Sequence, residues 1–364
     1  MNLLQRPKAA LIELYDSHDV NLYSQLAFLK HGGYDTTLIV SKHQRQQVSH
    51  YNLEERIFFT SCTGKKGLLL LLELRRIRNL IVKEKFDVVI FNTAHGSTIR
   101  TLCLMHFPES IRFAGTLHGV NKLAGSGTQK MISSRVRKYF LLSFYMREKA
   151  MKMPHGDLKF EVFYPMFHPR FHDVEIHKKE AGALWIGVPG AVEYKRRDYE
   201  TLLHHFAALK EKPNLKFVIL GNGNHAEGNG AQVQQTVKEL GIADHFIFFN
   251  KFVTNDLFHK YVQACDAILP LIHPINADME KYLENQISGS FHLAYSYKLP
   301  LLMHDFFSRY KEDFKDNSIF YSLENMGEML AALPVTLINK ERDFYTEDKW
   351  TFEYQAERYL SFLR

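Results

Sequence analysis

Ile287-Ser288-Gly289-Ser290-Phe291-His292-Leu293-Ala294-Tyr295-Ser296-Tyr297-Lys298-Leu299-Pro300-Leu301-Leu302 reads as a small-residue turn, a short helix, a break and a buried strand. Ser288, Gly289 and Ser290 stand where the helix would start, so free backbone N–H groups and two hydroxyls converge there. Unpaired donors and the positive end of the helix dipole point the same way, an arrangement that holds phosphate. Serine is also among the commonest N-cap residues, and on this stretch alone an ordinary cap before a packing helix is the simpler account.

The same strand-and-helix alternation extends in both directions. Toward the N-terminus of this half lie Leu184–Val188, the helix Tyr199–Leu209, Lys216–Leu220, the helix Ala231–Leu240, Phe246–Phe249, the helix Asp256–Ala264 and Ala267–Leu271. Beyond it come Ile319–Tyr321, the helix Asn325–Leu333 and an amphipathic helix at Trp350–Leu363. The first half repeats the scheme: strand Lys8–Tyr15, helix Val20–His31 ended by Gly32 and Gly33, strand Thr36–Val40, helix Leu68–Val82, then strands Phe86–Phe91, Arg112–Leu117, Tyr139–Ser143 and Phe160–Tyr164. In the helix Leu68–Val82, Leu70, Leu74, Ile77 and Ile81 share one face, with Arg75, Arg76, Arg78 and Lys83 outside it. Continuous apolar strands separated by helices predict parallel sheets covered on both faces. Pro165–Glu180, polar and rich in histidine, interrupts the pattern. The expected division is residues 1–168, 169–345 and a terminal segment 346–364: an α/β chain of two Rossmann-like, doubly wound domains facing a cleft.

Bulk composition agrees with this. The chain has 364 residues, enough for about two cores, and 46% hydrophobic with 24% charged residues is ordinary for a globular protein. No apolar run is long enough to span a bilayer, and no secretory signal is read at the N-terminus. Three scattered cysteines (Cys62, Cys103, Cys265) lack metal-type spacing and fit a reducing compartment, so a cytoplasmic location is expected. The net charge of +6 suits an anionic substrate or membrane surface. No nucleic-acid module is present, and no nucleic-acid partner is expected.

Four loops of the second half follow strands and should open where such folds bind ligands. The loop Pro189–Asp198 sets Gly190 beside Lys195, Arg196 and Arg197, cations able to neutralise a diphosphate although they oppose the dipole of the helix that follows. Gly221-Asn222-Gly223-Asn224 is either a nucleotide seat or a plain turn. Lys251–Asn255 offers backbone, at Val253 among others, to a base. Ser288–Ser290 is the fourth.

Taken in order, YKRRDY, FVILGNG, the segment Phe246–Pro270 and ISGSFHLAYSYKLPLL resemble the C-terminal half of GT-B glycosyltransferases of the group 1, family 4-like type. KFDVVIFNTAHG, GTLHGV, FLLSFYMREKAMK and FEVFYPMFHPRF are similar to the acceptor domain of the same family, so the likeness spans nearly the whole chain. The resemblance implies a C-terminal helix crossing back to the first domain. It also implies that Gly190, Lys195 and Arg196 (with Arg197 beside them) grip the donor diphosphate, that Ser288, Gly289 and Ser290 hold its phosphates, and that Gly221, Gly223 and Val253 line the base pocket. His118 would face the donor sugar or the acceptor hydroxyl. The family commonly carries two glutamates eight residues apart around the last of these helices. Here Leu293 and Asn285 take those places and Glu284 lies one position off, which marks a divergent subgroup.

The activity implied is transfer of a sugar from a UDP- or GDP-linked donor to a saccharide or lipid-linked acceptor in bacterial envelope, capsule or lipopolysaccharide synthesis. With no Asp-x-Asp motif, neither a metal nor any other cofactor is called for. Departure of a nucleoside diphosphate develops negative charge that fixed N–H donors and cations stabilise. Candidate catalytic groups are His118, Asp16 and Glu284, with His18 and Asp19 in the same loop as Asp16; for His18 and His273 the structural reading stands ahead. Lys130–Lys152 carries seven Lys/Arg against Glu148, with Phe140, Leu141, Phe144, Tyr145 and Met146 interleaved. That pattern suits peripheral contact with the inner face of the membrane, or a buried strand between basic solvated helices. Two other functions fit the same residues: a sugar-nucleotide epimerase on this fold, and a catalytically silent sugar-nucleotide-binding partner of another transferase.

Overall fold

The computed structural model describes residues 6–53, 56–275, 281–338 and 343–364. Described residues up to Arg170, with Asn285–Ile287 and Asp348–Arg364, form one compact unit; Phe171–Glu284 and Ser288–Glu347 form the other.

The strands of the first unit are β1 (Lys8–Glu13), β2 (Asp35–Ser41), β3 (Arg56–Thr60), β4 (Val88–Phe91), β5 (Arg112–Thr116), β6 (Lys138–Leu141) and β7 (Lys159–Val162). They make one sheet in the order β3-β2-β1-β4-β5-β6-β7, with every pairing parallel. β1 and β4 are buried along almost their whole length because helices cover both faces, which is why they read as unbroken apolar runs. Register is tight: Leu11 lies opposite Leu38 on one side and Ile90 on the other.

The last helix, Phe352–Leu363, belongs to this unit and supplies part of its core. Tyr359 stacks on Phe140 at 4.2 Å between ring centroids, meets Phe28 and Phe163 at 5.4 and 5.3 Å, and donates from its hydroxyl to Gln25 Oε1 at 3.0 Å. Gln355 is also buried, accepting from the Tyr164 amide and donating to the Lys349 carbonyl. This buried amide is therefore satisfied on both its ends.

The second unit contains β8 (Leu184–Pro189), β9 (Leu215–Asn222), β10 (Phe246–Phe249), β11 (Ala267–Ile268), β12 (Leu301–His304) and β13 (Ser318–Tyr321), ordered β10-β9-β8-β11-β12-β13 and again parallel. Both sheets start near their middle, wind outward, and return to the other side of the first strand. Each therefore has a switch point, β1/β4 in one and β8/β11 in the other. At the carboxyl ends of such strands two loops diverge and leave a crevice. The fold is α/β, with two Rossmann-like parallel-sheet units.

Several elements differ from the sequence expectation. Arg56–Thr60 is a strand and Gly96–Cys103 a helix where no elements were expected, and the helix expected ahead of the strand in 130–152 is Gly127–Ser133, starting before Lys130. All three are short, and the last two are opened by glycine, so periodicity gives little signal. β11 stops at Ile268 instead of Leu271, because Pro270 has no N–H for the ladder and Leu271 takes a left-handed φ of 54°. In the basic segment 130–152, Phe140, Leu141, Tyr145 and Met146 turn into the core while Met131 and Met151 stay exposed.

Candidate functional site

At the β8/β11 switch point the chain leaves β8 at Pro189 and turns at Gly190, whose φ of +111° is closed to ordinary side chains. A Cβ on Gly190 would lie 2.3 Å from Arg197 Nη2, so the absence of a side chain lets the arginine fold back over the turn. Arg197 is only 8% exposed. Its guanidinium donates to the Pro189 carbonyl and reaches Ser290 Oγ at 3.4 Å, while its buried Nε has no partner. A buried guanidinium with an unused donor is costly unless something anionic completes its shell.

Ser290 sits in the first turn of the helix Gly289–Tyr297, capped by Ser288, whose Oγ accepts from the Ser290 amide at 3.3 Å. Gly289 is exposed, and no heavy atom lies within 4 Å of the place its Cβ would occupy. Space for a ligand thus lies directly over the helix N-terminus. The cationic 195–197 corner and the 288–290 turn meet, through Arg197.

The other two cations point elsewhere. Lys195 Nζ is 3.4 Å and Arg196 Nε 2.9 Å from Glu193 Oε2, so both share one carboxylate. Gly221 and Gly223 have a packing reason to be glycine: a Cβ on Gly221 would come within 2.2 Å of the Gly190 carbonyl oxygen, and one on Gly223 within 3.1 Å of the Phe249 carbonyl oxygen. Val253 is buried beside the exposed Phe252. Glu284 is exposed on the π-helix Lys281–Asn285.

Behind Arg197 lies a relay that the sequence did not reveal as one. Asp198 caps the helix Tyr199–Ala208, accepting from the Thr201 amide and hydroxyl at 3.0 and 2.6 Å, and its carboxylate also meets His273 Nδ1 at 2.7 Å. A carboxylate only accepts, so Nδ1 carries a proton. Its Nε2 lies 2.8 Å from the Tyr321 hydroxyl. Burial pushes the Asp198 carboxyl up, but the bonds from His273 and Thr201 outweigh it and hold the group below its usual range. His273 is fully enclosed, and the relay ties the loops after β8 and β11 to the last residue of β13 behind Arg197.

In the first unit, Glu13 ends β1 at zero exposure. It accepts from Asn92 Nδ2 at 2.7 Å, from Thr93 Oγ1 at 2.5 Å and from the Tyr15 amide at 2.9 Å. Asn92 also donates to the His18 carbonyl at 2.9 Å and accepts from Gln25 at 2.7 Å. The Asn92 carbonyl accepts from His118 Nε2 at 2.8 Å, and the His118 ring stacks on His18 at 3.7 Å between centroids. His118 and His18 are thus brought together at the β1/β4 switch point. Asp16 is held apart from that network by Ser41 and Thr63, whose hydroxyls donate to it at 2.6 and 2.9 Å. Burial lowers His18 to about 4, so its ring is neutral at physiological pH.

Burial raises the Glu13 carboxyl to about 7 against the opposing pull of its hydrogen bonds. In the unfolded chain the group titrates near 4.5. Between these values the folded protein holds a proton that the unfolded chain releases, so stability falls as pH rises from the lower value through the upper one. The shift corresponds to about 3 kcal/mol. Urea unfolding of wild type and Glu13→Gln across this window should show the wild type losing stability relative to the variant; parallel curves would remove the assignment.

Among solved structures, the chain is similar to a glycosyltransferase from Rickettsia africae ESF-5 (TM-score 0.65, 12% identity, covering 99% of this chain and 98% of that one). It is also similar to a putative UDP-N-acetylglucosamine 2-epimerase from Listeria monocytogenes (0.64, 11%, 98% and 95%) and to Anabaena HepE in complex with UDP-glucose (0.61, 10%, 98% and 97%). The fold is one shared by glycosyltransferases and sugar-nucleotide epimerases. No protein-family model matches the chain, and no curated protein matches it in sequence.

The residues missed by sequence reasoning left a faint trace. Glu13 is a carboxylate inside an otherwise apolar strand, and Asn92 with Thr93 directly follows another. Among the described residues, no group of three or more His, Cys, Asp or Glu side chains is arranged to hold a metal.

Proposed function

We propose that the protein is a glycosyltransferase that takes its sugar from a nucleotide-sugar donor. The observation that carries this is that buried Arg197 reaches Ser290 at the N-terminus of a helix whose Gly289 is exposed and open on its Cβ side. The donor diphosphate would lie over Gly289, bound by the amides of the Ser288–Ser290 turn and by Arg197. Lys195 and Arg196 would swing from Glu193 to its outer oxygens. As the sugar departs, negative charge grows on the diphosphate, and these fixed donors stabilise it without needing a metal. Hexosyl transfer from a UDP-linked donor is the first form to test, because HepE was solved with UDP and UDP-glucose.

The first unit would supply the acceptor side through the face bearing His18 and His118, with a saccharide or lipid-linked hydroxyl of envelope synthesis as acceptor. His18, lowered by burial and therefore neutral at physiological pH, would offer a proton acceptor there.

The test is a panel of UDP- and GDP-sugars, read by thermal shift and by nucleoside diphosphate release with and without saccharide acceptors. A shift with a UDP-sugar and acceptor-dependent UDP release is expected. Isomerised nucleotide sugar would replace this reading with an epimerase, consistent with the fold match to UDP-N-acetylglucosamine 2-epimerases. Binding without turnover would replace it with a silent partner, and no binding would end it.

A further inference from the structure

The helix Gly67–Glu84 places Leu68, Leu69 and Leu72 at 67%, 64% and 50% exposure. These side chains share one outward ridge, since 68 and 72 are one turn apart and 69 lies between them. The inward stripe of the same helix is Leu74, Ile77 and Ile81, all buried. Clustered exposed leucines on a single turn are a surface with an unmet partner.

The charges around the ridge say which partner. Lys66, Arg75 and Arg76 are exposed beside it. The acid of this turn, Glu73, is buried: it accepts from the Ser61 amide at 3.3 Å, pairs with Lys65 at 3.2 Å and lies 3.8 Å from Arg76 Nη1, so it offsets part of the positive charge while Lys66 and Arg75 stand outside this pairing. The outer face is left apolar and cationic. A second copy of the chain would set these cations against themselves in a two-fold interface. A convex leucine ridge also fits a fluid acyl layer more readily than the groove a protein partner would have to offer.

We propose that this ridge docks the protein on an anionic lipid bilayer, with Leu68, Leu69 and Leu72 entering the headgroup boundary and Lys66, Arg75 and Arg76 meeting lipid phosphates. No described helix is long and apolar enough to cross a membrane, so the contact is interfacial. The helix follows β3 and starts at the carboxyl edge of its sheet, where Thr63 donates to Asp16 in the loop after β1. That is the edge carrying His18 and His118, so a bilayer held there would present membrane-borne hydroxyls to the proposed acceptor face. This last consequence rests on the transferase reading; the docking itself does not.

Co-sedimentation with phosphatidylcholine vesicles and with mixed phosphatidylcholine–phosphatidylglycerol vesicles tests the proposal without donor or turnover, so its failure is separable from failure of the transferase reading. Wild type should partition into the anionic vesicles, with binding that falls as salt rises and drops about fivefold for each cation neutralised in Lys66→Gln or Arg75→Gln. The triple variant Leu68→Gln/Leu69→Gln/Leu72→Gln should lose at least about tenfold with an unchanged circular dichroism melt, because the side chains are already in solvent. Equal binding of wild type and triple variant, or no preference for anionic vesicles, overturns the proposal. So does a wild-type dimer in sedimentation velocity that the triple variant abolishes.

Discussion

Arg197→Ala is expected to weaken binding of the donor nucleotide sugar by about ten- to a hundredfold, the worth of one or two charge-assisted hydrogen bonds. The cause is specific to its position. Of the three consecutive cations, Arg197 is the one that reaches Ser290, and it donates to the Pro189 carbonyl with the Asp198–His273–Tyr321 relay behind it. Arg197→Lys should recover only part of the loss, because an ammonium on a flexible stem cannot serve the Pro189 carbonyl and a phosphate together. Lys195→Ala and Arg196→Ala should cost less, since each must first leave Glu193. Titration calorimetry with a UDP-sugar, alongside a melt to confirm folding, reads all four. Unaltered affinity in both Arg197 variants would remove the diphosphate from this corner.

Tyr359→Ala should destabilise the first unit by about 3–5 kcal/mol, the usual cost of emptying an aromatic site in a packed core. Tyr359 is fully buried, and its loss would strip the stack from Phe140, leave a gap beside Phe28 and Phe163, and orphan Gln25 Oε1. Tyr359→Phe separates the terms: it keeps the ring and should cost only about 1–2 kcal/mol for the unpaired amide oxygen. Urea unfolding followed by circular dichroism measures both. A loss below about 1 kcal/mol for the alanine variant would mean that the final helix is a loose appendage instead of core.

The fold was largely legible because both sheets are parallel and buried on both faces. Strands such as Phe86–Phe91 and Lys216–Leu220 then appear as unbroken apolar runs between amphipathic helices, a pattern few other architectures produce. The turn at Ser288–Ser290 was legible as well, since cap residues write their chemistry locally. What could not be read was the choice among Lys195, Arg196 and Arg197. That choice depends on a positive φ at Gly190 and on the cap made by Asp198, neither of which has a signature in the cation run. The Glu13–Asn92–Thr93 network was hidden for another reason. Its members are 79 and 80 positions apart, and only the order of the sheet, β1 beside β4, unites them. Nor did the run Leu68–Leu72 disclose which leucines face solvent, because five identical residues carry no periodicity.

The return of Phe352–Leu363 to the first unit also sets an order on biosynthesis. A ribosome must complete the whole of 171–347 before Tyr359 and Gln355 emerge to close the earlier core. Until then the nascent N-terminal sheet waits with Phe28, Phe140 and Phe163 uncovered, an aggregation-prone interval that domains closed by their own local chain do not face. Truncation before Phe352 should therefore yield chains whose later-made lobe is compact while the earlier-made one clings to chaperones.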